Sequence, residues 1–251
     1  MWFLLLFNFA GKIVAVALEG APSVVRLLVW FIPDMVLAYH VFSPHAQGLV
    51  RSHRRFRTDK REVWLTIDDG PDPVDTPQIL TLLAQHQARA TFFVIGESAA
   101  ARPELIADIV GAGHEVAHHT HTHPLASFWC AGPRRLAREL DLTLDMLRAL
   151  GVQPTRFRPP AGLRNLWLSR TLRQRGLTCI GWYLRGLERW HAQPEAVAAR
   201  LTRDVRGGDI LLLHEGLRVP APVRVHAIRH VLETLDAAGF RCVIPRPDQL
   251  I

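Results

Sequence analysis

From residue 62 to the C-terminus, short apolar runs alternate with amphipathic stretches in a regular order. Seven of these runs have the length of strands and are mostly rich in β-branched, aliphatic or aromatic side chains. They are VWLTI (63–67), TFFVI (91–95), EVAHH (115–119), RFRP (156–159), TCIGW (178–182), ILLLH (210–214) and RCVI (241–244). The stretches between them carry helix-start prolines such as Pro103 and helix-end glycines such as Gly151. Seven β/α units predict an α/β domain with a parallel sheet, either open or closed as a barrel.

The first 50 residues follow another pattern. Two long apolar, aromatic-rich segments cover residues 1–20 and 23–42, and charged residues interrupt both. We expect a pair of helices, although neither segment contains 18 uninterrupted apolar residues. No basic residue precedes WFLLLF, which argues against a secretory signal. The helices either pack on the domain or lie in, or dip into, a bilayer interface.

A basic segment, RSHRRFRTDKR (51–61), follows the apolar region. Basic clusters beside membrane segments tend to remain on the cytoplasmic side and bind anionic lipid. We therefore divide the chain into an apolar helical segment (1–50), a basic linker (51–61) and a catalytic domain (62–251). A membrane-associated protein is expected, at the cytoplasmic face rather than the extracytoplasmic one, and a solvated linker is the alternative reading of 51–61.

The amino-acid composition excludes several classes of protein. A hydrophobic fraction of 49% in 251 residues excludes a disordered chain. Three scattered cysteines, Cys130, Cys179 and Cys242, form neither a disulfide framework nor a metal-binding spacing. The net charge of +7 suits an anionic surface or substrate, but no nucleic-acid-binding motif accompanies it. We expect no nucleic acid partner.

Unusual polar residues occur where the predicted strands end. In parallel architectures the carboxyl ends of the strands form the working face, so these side chains should converge on one mouth. The residues are Asp68, Asp69, His119, His123, Arg158, Trp182 and His214.

The histidine-rich segment GHEVAHHTHTHP (113–124) has two incompatible interpretations. His114-Glu115-x-x-His118 matches the HExxH pattern of zinc proteases, which requires a helix. The β/α alternation predicts a strand there instead, and residues four apart in a strand are about 13 Å apart, too far to share one ion. His119 and His123 enter a loop, where a turn can bring them onto one face.

Two imidazoles and one carboxylate of the Asp68–Asp69 pair form a donor set that leaves positions open for water and substrate. One aspartate would hold a metal while the other takes a proton from water. His214, at the end of an apolar strand, is suited to protonate a leaving amine.

Together these motifs resemble the polysaccharide deacetylases, the NodB-homology family of carbohydrate esterases, over roughly residues 62–247. TIDDGP is similar to the first motif of the family, which implies that Asp68 is the general base and Asp69 a metal ligand. HTHTH is similar to the second motif, whose outer histidines, His119 and His123, complete the metal site. The resemblance implies one divalent ion, zinc first, with cobalt, nickel or manganese as alternatives.

Two further motifs imply the remaining roles. RPPAG resembles the third motif, so that Arg158 would orient the base and the backbone N–H of Ala161 would help to bind the oxyanion. LLLH resembles the fifth, with Leu212 lining the acyl pocket and His214 as general acid. The fold of the family is a distorted (β/α)7 barrel, here with an extra apolar helical N-terminal segment.

The sequence departs from the family pattern at two places. Ala161 is small where the third motif usually has an aromatic residue. The fourth motif usually carries an aspartate that supports the motif-three arginine, but GWYLRGLERW (181–190) has none, and Arg185 sits near the expected position. Glu188 could substitute for it. Trp182 and Trp190 of this segment are expected to contact substrate.

These motifs imply metal-dependent removal of an N-acetyl or other small N-acyl group from an amino sugar. With the apolar N-terminus, the expected partners are an N-acylated amino sugar, lipid-linked or part of the cell envelope, and an anionic membrane surface contacted by residues 1–61. One alternative is a catalytically degenerate module that binds metal and glycan. Another is a deformylase or longer-acyl amidohydrolase on the same scaffold.

Overall fold

In the computed structural model, which describes residues 2–190 and 193–251, the apolar runs form one parallel sheet. Its strands, within that part of the chain, are β1 (Glu62–Asp68), β2 (Ala90–Val94), β3 (Glu115–His118), β4 (Arg156–Phe157), β5 (Thr178–Cys179), β6 (Leu184–Arg185), β7 (Ile210–His214) and β8 (Arg241–Cys242). The order across the sheet is β5-β4-β3-β2-β1-β7-β6, and β8 pairs with the start of β1. The sheet curls into a half-open barrel, so the predicted distorted (β/α)7 fold with an N-terminal helical segment is confirmed.

The central strands are buried on both faces, as expected for a parallel sheet covered by helices. Side chains alternate between the two faces, so every second residue of β1 points into the curl of the sheet. Trp64 lies at the closed end of the curl, Thr66 in the middle and Asp68 at the mouth, all three buried. The alternation along β1 therefore places the carboxylate of Asp68 at the carboxyl end of the strand, at the mouth of the curl.

Helices cover the outer face of the sheet. They are α3 (Asp75–Gln85), α4 (Gly96–Ala101), α5 (Pro103–Gly111), α6 (Pro133–Ala149), α7 (Leu168–Arg173), α8 (Pro194–Thr202) and α9 (Arg224–Ala237). Proline at the first position begins α5, α6 and α8, since its missing N–H would have no partner in the first turn. After α6, Gly151 adopts a left-handed φ of 78°, which ends the helix.

Part of the basic segment pairs with the domain on the open side of the sheet. His53 forms a parallel bridge with Ile180, just after β5, and Arg55 forms an antiparallel bridge with Asp209, just before β7. The side chain of Arg55 also donates to Asp209 at 2.7 Å. These contacts connect β5, at one end of the strand order, with β7, next to its other end, so this stretch of the chain helps to close the curl.

The N-terminal region is a helical hairpin of α1 (Trp2–Ala17) and α2 (Ser23–Phe42). Asn8 and Lys12 of α1 both reach Asp34 of α2, at 2.6 and 3.2 Å. Within the described residues, α2 is the one helix whose length and hydropathy suit a membrane span, and α1 is a shorter apolar helix. Most of the apolar side chains of the hairpin are exposed.

Candidate active site

A cavity of about 220 Å³ opens at the carboxyl ends of the strands. Nine of the ten residues singled out from the sequence line it, and the tenth, Arg158, is buried behind one of them. The nine are Asp68, Asp69, His119, His123, Ala161, Trp182, Trp190, Leu212 and His214.

The two adjacent aspartates face different partners. Asp68 is the last residue of β1, whereas Asp69 has a φ of 75°. This turn of the backbone, tolerated by aspartate, separates the two carboxylates. Asp68 contacts Arg158, and Asp69 faces His119 and His123. Each of the two carboxylates therefore has its own partners, Arg158 for Asp68 and the two histidines for Asp69.

His119, His123 and Asp69 converge on one point. Nε2 of His119 and Nε2 of His123 lie 3.5 and 3.3 Å from Asp69 Oδ1, and the three potential ligand atoms all lie within 4.8 Å of one another. Nδ1 of His119 donates to the carbonyl oxygen of Arg158 at 2.8 Å, because that oxygen can only accept. The lone pair on Nε2 is therefore directed at the cluster.

The electrostatics of this cluster fit a divalent cation. Asp69 Oδ1 is buried and has no hydrogen-bond partner among the described residues. Burial alone would raise the pKa of Asp69, but the adjacent ring of His119, together with those of His214 and His123, holds this pKa well below its usual range. Burial lowers the pKa of His123 to about 3, which keeps its imidazole neutral. A carboxylate oxygen and two imidazole nitrogens form a three-ligand set typical of a catalytic zinc site.

Glu139 of α6 holds the loop that carries the histidines. Its Oε2 accepts hydrogen bonds from the backbone N–H groups of His121 and Thr122 at 3.0 and 2.9 Å, and its Oε1 accepts one from Thr122 Oγ1 at 2.8 Å. His123 has a φ of 51°, so this loop departs from extended or helical backbone. Glu139 was not among the sequence candidates, since nothing in the helical pattern of α6 distinguishes it from a solvent-facing glutamate.

Arg158 anchors the other aspartate. Its Nη1 donates to Asp68 Oδ1 at 2.6 Å and to Thr66 Oγ1 at 2.8 Å. Nη2 donates to the carbonyl oxygen of Gly181 at 2.8 Å and Nε to that of Ile180 at 3.3 Å. Backbone carbonyls and a hydroxyl therefore hold this guanidinium where an acidic side chain was expected.

Glu188 contacts His214 rather than Arg158. The backbone N–H of His214 donates to Glu188 Oε1 at 2.9 Å, and Nδ1 lies 3.2 Å from the same oxygen. Burial would lower the pKa of His214, but the charge of Glu188 and its hydrogen bond raise the pKa to about 9. The pairing keeps the imidazole protonated at neutral pH and its other nitrogen available to the cavity.

The walls of the cavity combine small and aromatic groups. Leu212 and Trp182 are buried, and Trp190 is 81% exposed at the rim. Ala161 lies in a short 3₁₀ turn with a φ of 50°. A small residue here leaves room in the cavity, part of which a bulkier side chain would close.

Four lining residues were not among the sequence candidates: Leu125, Arg185, Leu187 and Arg189. One of them, Arg185, had a signal in the sequence, because it sits near the expected acid of the fourth motif. Leu187 adopts a φ of 59°, and this bend helps to bring the 185–190 segment over the cavity. Both arginines are exposed at the mouth.

The other histidines of the cluster have structural environments. The ring of His118 is fully buried between the carbonyl oxygen of Leu140 and the N–H of Thr120, and burial lowers its pKa to about 4. His114 accepts a hydrogen bond from the N–H of Ala90. Residues 115–118 form β3, so the HExxH interpretation lacks the helix that it requires.

Comparison with known proteins finds a matching family model, related sequences and similar structures. A family model described as polysaccharide deacetylase matches residues 55–180. A peptidoglycan-N-acetylglucosamine deacetylase of Bacillus cereus is 31% identical over 193 residues, 74% of this chain and 86% of the relative. A chitooligosaccharide deacetylase of Sinorhizobium fredii is 37% identical over 172 residues, 66% of this chain and 78% of the relative. A family 4 carbohydrate esterase from Streptomyces lividans, solved with acetate, has a TM-score of 0.67 at 30% identity and covers 76% of this chain and 96% of its own.

Proposed function

Because this chain belongs to the polysaccharide deacetylase family, we propose that it hydrolyses the N-acetyl, or another small N-acyl, group of an amino sugar with the help of a bound divalent metal. One observation carries the proposal: Asp68 and His214 flank the Asp69–His119–His123 cluster in a single cavity. A hydrolase of this kind needs a base, an acid and an electrophile around one carbonyl group.

Asp69, His119 and His123 would hold the metal, with zinc first and cobalt, nickel or manganese as alternatives. When bound, such an ion polarises carbonyl groups and makes water a better nucleophile. Asp68 accepts the proton of the attacking water, since its Oδ2 is free of Arg158, which holds Oδ1. The fixed guanidinium keeps the carboxylate oriented toward the cavity.

The remaining residues act on the acyl group and the amine. The backbone N–H of Ala161 donates to the carbonyl oxygen as negative charge develops on it, an effect worth about 3 kcal/mol for one donor. Leu212 contacts the acyl methyl group, and Trp182 and Trp190 contact the sugar. His214 gives its proton to the amine nitrogen as the C–N bond breaks, and Glu188 stabilises the charged imidazole that is ready to do so.

The space beside Ala161 also suits a formyl group or a chain longer than acetyl, which keeps these acyl groups as alternatives on the same machinery. A module that binds metal and glycan without turnover is a further alternative. The pairing of Glu188 with His214 opposes it, because a charged acid has no use in a purely binding site.

We further propose the division into 1–50, 51–61 and 62–251, with residues 1–61 contacting the membrane. The exposed apolar hairpin and the arginine-rich segment after it support this placement. By the bias of basic residues, the domain lies on the cytoplasmic face.

The decisive experiment measures carboxylic acid release, resolved by chain length, from N-acylated amino sugars with added zinc. Asp68→Asn keeps the shape and removes the base, so we expect release to fall by about 10²–10⁴. Asp59→Asn, in the basic segment, is the matched control and retains the wild-type rate. Formate or a fatty acid instead of acetate would change the acyl group. A silent wild type that still binds one metal would favour the binding module.

A further inference from the structure

The base of the helical hairpin lies against a wall of the active-site cavity. Pro44, two residues after α2, packs so closely that a Cβ atom on Gly162 would lie 2.6 Å from Pro44 Cβ and 2.6 Å from Trp182. Arg164 extends this junction, since its backbone N–H donates to the carbonyl oxygen of Val41 at 2.7 Å and its Nη2 to that of Pro44 at 3.0 Å. The segment that carries Ala161 therefore anchors the hairpin.

The hairpin projects away from this junction. Leu4 at the start of α1 clusters with Val41 and Leu49, so the two helices run antiparallel and the 18–22 turn is the far end. A 20-residue helix is about 30 Å long, which matches the hydrocarbon thickness of a bilayer. If α2 enters a membrane, its last turn lies at the membrane surface, and so does the mouth of the cavity.

The surface of the hairpin fits lipid as its occupant. Large apolar side chains are exposed along the whole length of both helices, including Phe9 at 66% and Met35 at 69%. Three polar groups of the hairpin pair between the helices, in the Asn8–Asp34 and Lys12–Asp34 contacts. Polar residues in membrane segments are tolerated when they pair in this way.

Aromatic and basic residues lie near the last turn of α2 and the mouth of the cavity, the level of the inferred membrane surface. Trp129 packs against Phe42 at the end of α2, and the exposed Trp190 lies at the cavity rim, as in the aromatic belts of membrane proteins. On the side of Leu49, a surface groove is lined by Arg51, Arg170 and Arg173. Guanidinium groups at this level match the phosphates of a lipid surface.

Arg185 connects this surface to the active site. It lines the cavity, is exposed, and has no ion-pair partner among residues 2–190 and 193–251. It also lies near His45, three residues after α2, whose pKa is lowered by burial and by the charges of Arg54 and Arg185. A cationic, bidentate donor therefore stands between the acyl pocket and the base of the hairpin.

We propose that the substrate is an amino sugar linked through a phosphate to a membrane lipid, and that Arg185 binds this phosphate while the sugar enters the cavity. The proposal rests on the proposed N-deacylase function and specifies its substrate class. In the reaction, water adds its oxygen to the acyl carbon, the C–N bond breaks, the amine nitrogen takes a proton and a carboxylic acid leaves. The phosphate linkage stays intact and serves recognition alone.

The test compares three substrates with the full-length, zinc-loaded protein in vesicles. The first is N-acetylglucosamine joined to an isoprenoid chain by a phosphodiester. The second is a glycoside with the same chain and no phosphate, and the third is the sugar 1-phosphate without a chain. We expect the highest kcat/KM for the first, which requires both the chain and the phosphate. Equal rates on all three would overturn the proposal.

Arg185→Ala should lower the ratio of kcat/KM for the first substrate to that for the second by about tenfold or more, the effect of losing a charge-assisted hydrogen bond. Arg203→Ala is the matched control. Arg203 follows α8 at the opposite end of β7 from His214, so its loss should leave the ratio at the wild-type value. An unchanged ratio in Arg185→Ala would contradict the assignment.

Two measurements distinguish a failure of the proposed function from a failure of the Arg185 assignment or of the membrane placement. Acid release from none of the substrates would contradict the proposed function, and binding of the two lipids to Asp68→Asn protein would then still report on Arg185. Flotation of the full chain with anionic vesicles tests the hairpin. Protein that stays at the bottom of the gradient as a defined oligomer would assign the apolar surface to a second copy and overturn the membrane placement.

Discussion

At the scale of single residues, Glu188 sets the protonation of His214. The carboxylate touches both the backbone N–H and Nδ1 of His214, and it raises the pKa of the imidazole to about 9 against the effect of burial. A general acid works only in its protonated form. Activity should therefore persist through neutral pH and decline as the pH rises through the pKa of His214.

Glu188→Gln tests this role. The amide can still accept the backbone hydrogen bond, but the negative charge is lost while the burial that lowers the pKa remains. The alkaline limb of the pH–rate profile should move to lower pH than in the wild type, and kcat at pH 8 should fall more than kcat at pH 6. Both proteins carry the same metal, so the difference between their profiles isolates Glu188. A limb that does not move would show that another group controls it.

The residues of the cavity differ in how far the sequence could predict them. Asp68, Asp69 and His214 end buried strands, and the carboxyl ends of parallel strands meet at one edge, so their convergence followed from the alternating pattern. The contact between Glu188 and His214 could not be predicted. It depends on the turn around Leu187, which has a φ of 59° although no glycine or asparagine in the sequence indicates such a turn there.

At the scale of elements, α6 positions the loop that carries the proposed metal ligands His119 and His123. The Glu139 carboxylate accepts three hydrogen bonds from the loop that runs from His119 to His123. Groups that orient metal ligands affect affinity almost as strongly as the ligands themselves. A rigid helix thus supports a loop whose own backbone is irregular.

Glu139→Ala should lower the zinc affinity by about 10–100-fold, the usual cost of losing an orienting partner, and also lower Tm because two N–H groups lose their acceptor. Thr122→Val is the matched control, as it removes the Oγ1 bond and keeps both backbone bonds. Its effect on zinc affinity, measured by competition with a chromogenic chelator, should be smaller. Equal affinities in Glu139→Ala and the wild type would mean that the loop holds its shape unaided.

Long, strongly patterned elements were predicted well, and some of the short ones were missed. The sequence pattern predicted β7 at 210–214, the start of α5 at Pro103 and the end of α6 at Gly151. It missed α4, α7 and β6, which have two to six residues each, too few for a hydrophobic period to show. Tertiary pairing, not local propensity, forms such elements, as β6 shows by its pairing with β7.

At the scale of the molecule, the buried cluster of proposed metal ligands joins segments that are far apart in the chain. Asp69 follows β1, while His119 and His123 follow β3, and Asp69 Oδ1 has no hydrogen-bond donor among the described residues. A ligand that binds only the folded state stabilises it by mass action. Metal binding should therefore stabilise the whole domain and not the loop alone.

Removal of the metal by a chelator should lower Tm in a single cooperative transition. At an ion concentration of about 100 Kd the stabilisation is about 2.7 kcal/mol, which for a chain of this size corresponds to roughly 5–10 °C. Asp69→Asn lacks the anionic ligand, so its Tm, measured by calorimetry, should change little with chelator or zinc. A wild-type Tm that the chelator leaves in place would contradict metal binding at this cluster. A shift of the same size in Asp69→Asn would place the ion elsewhere in the molecule.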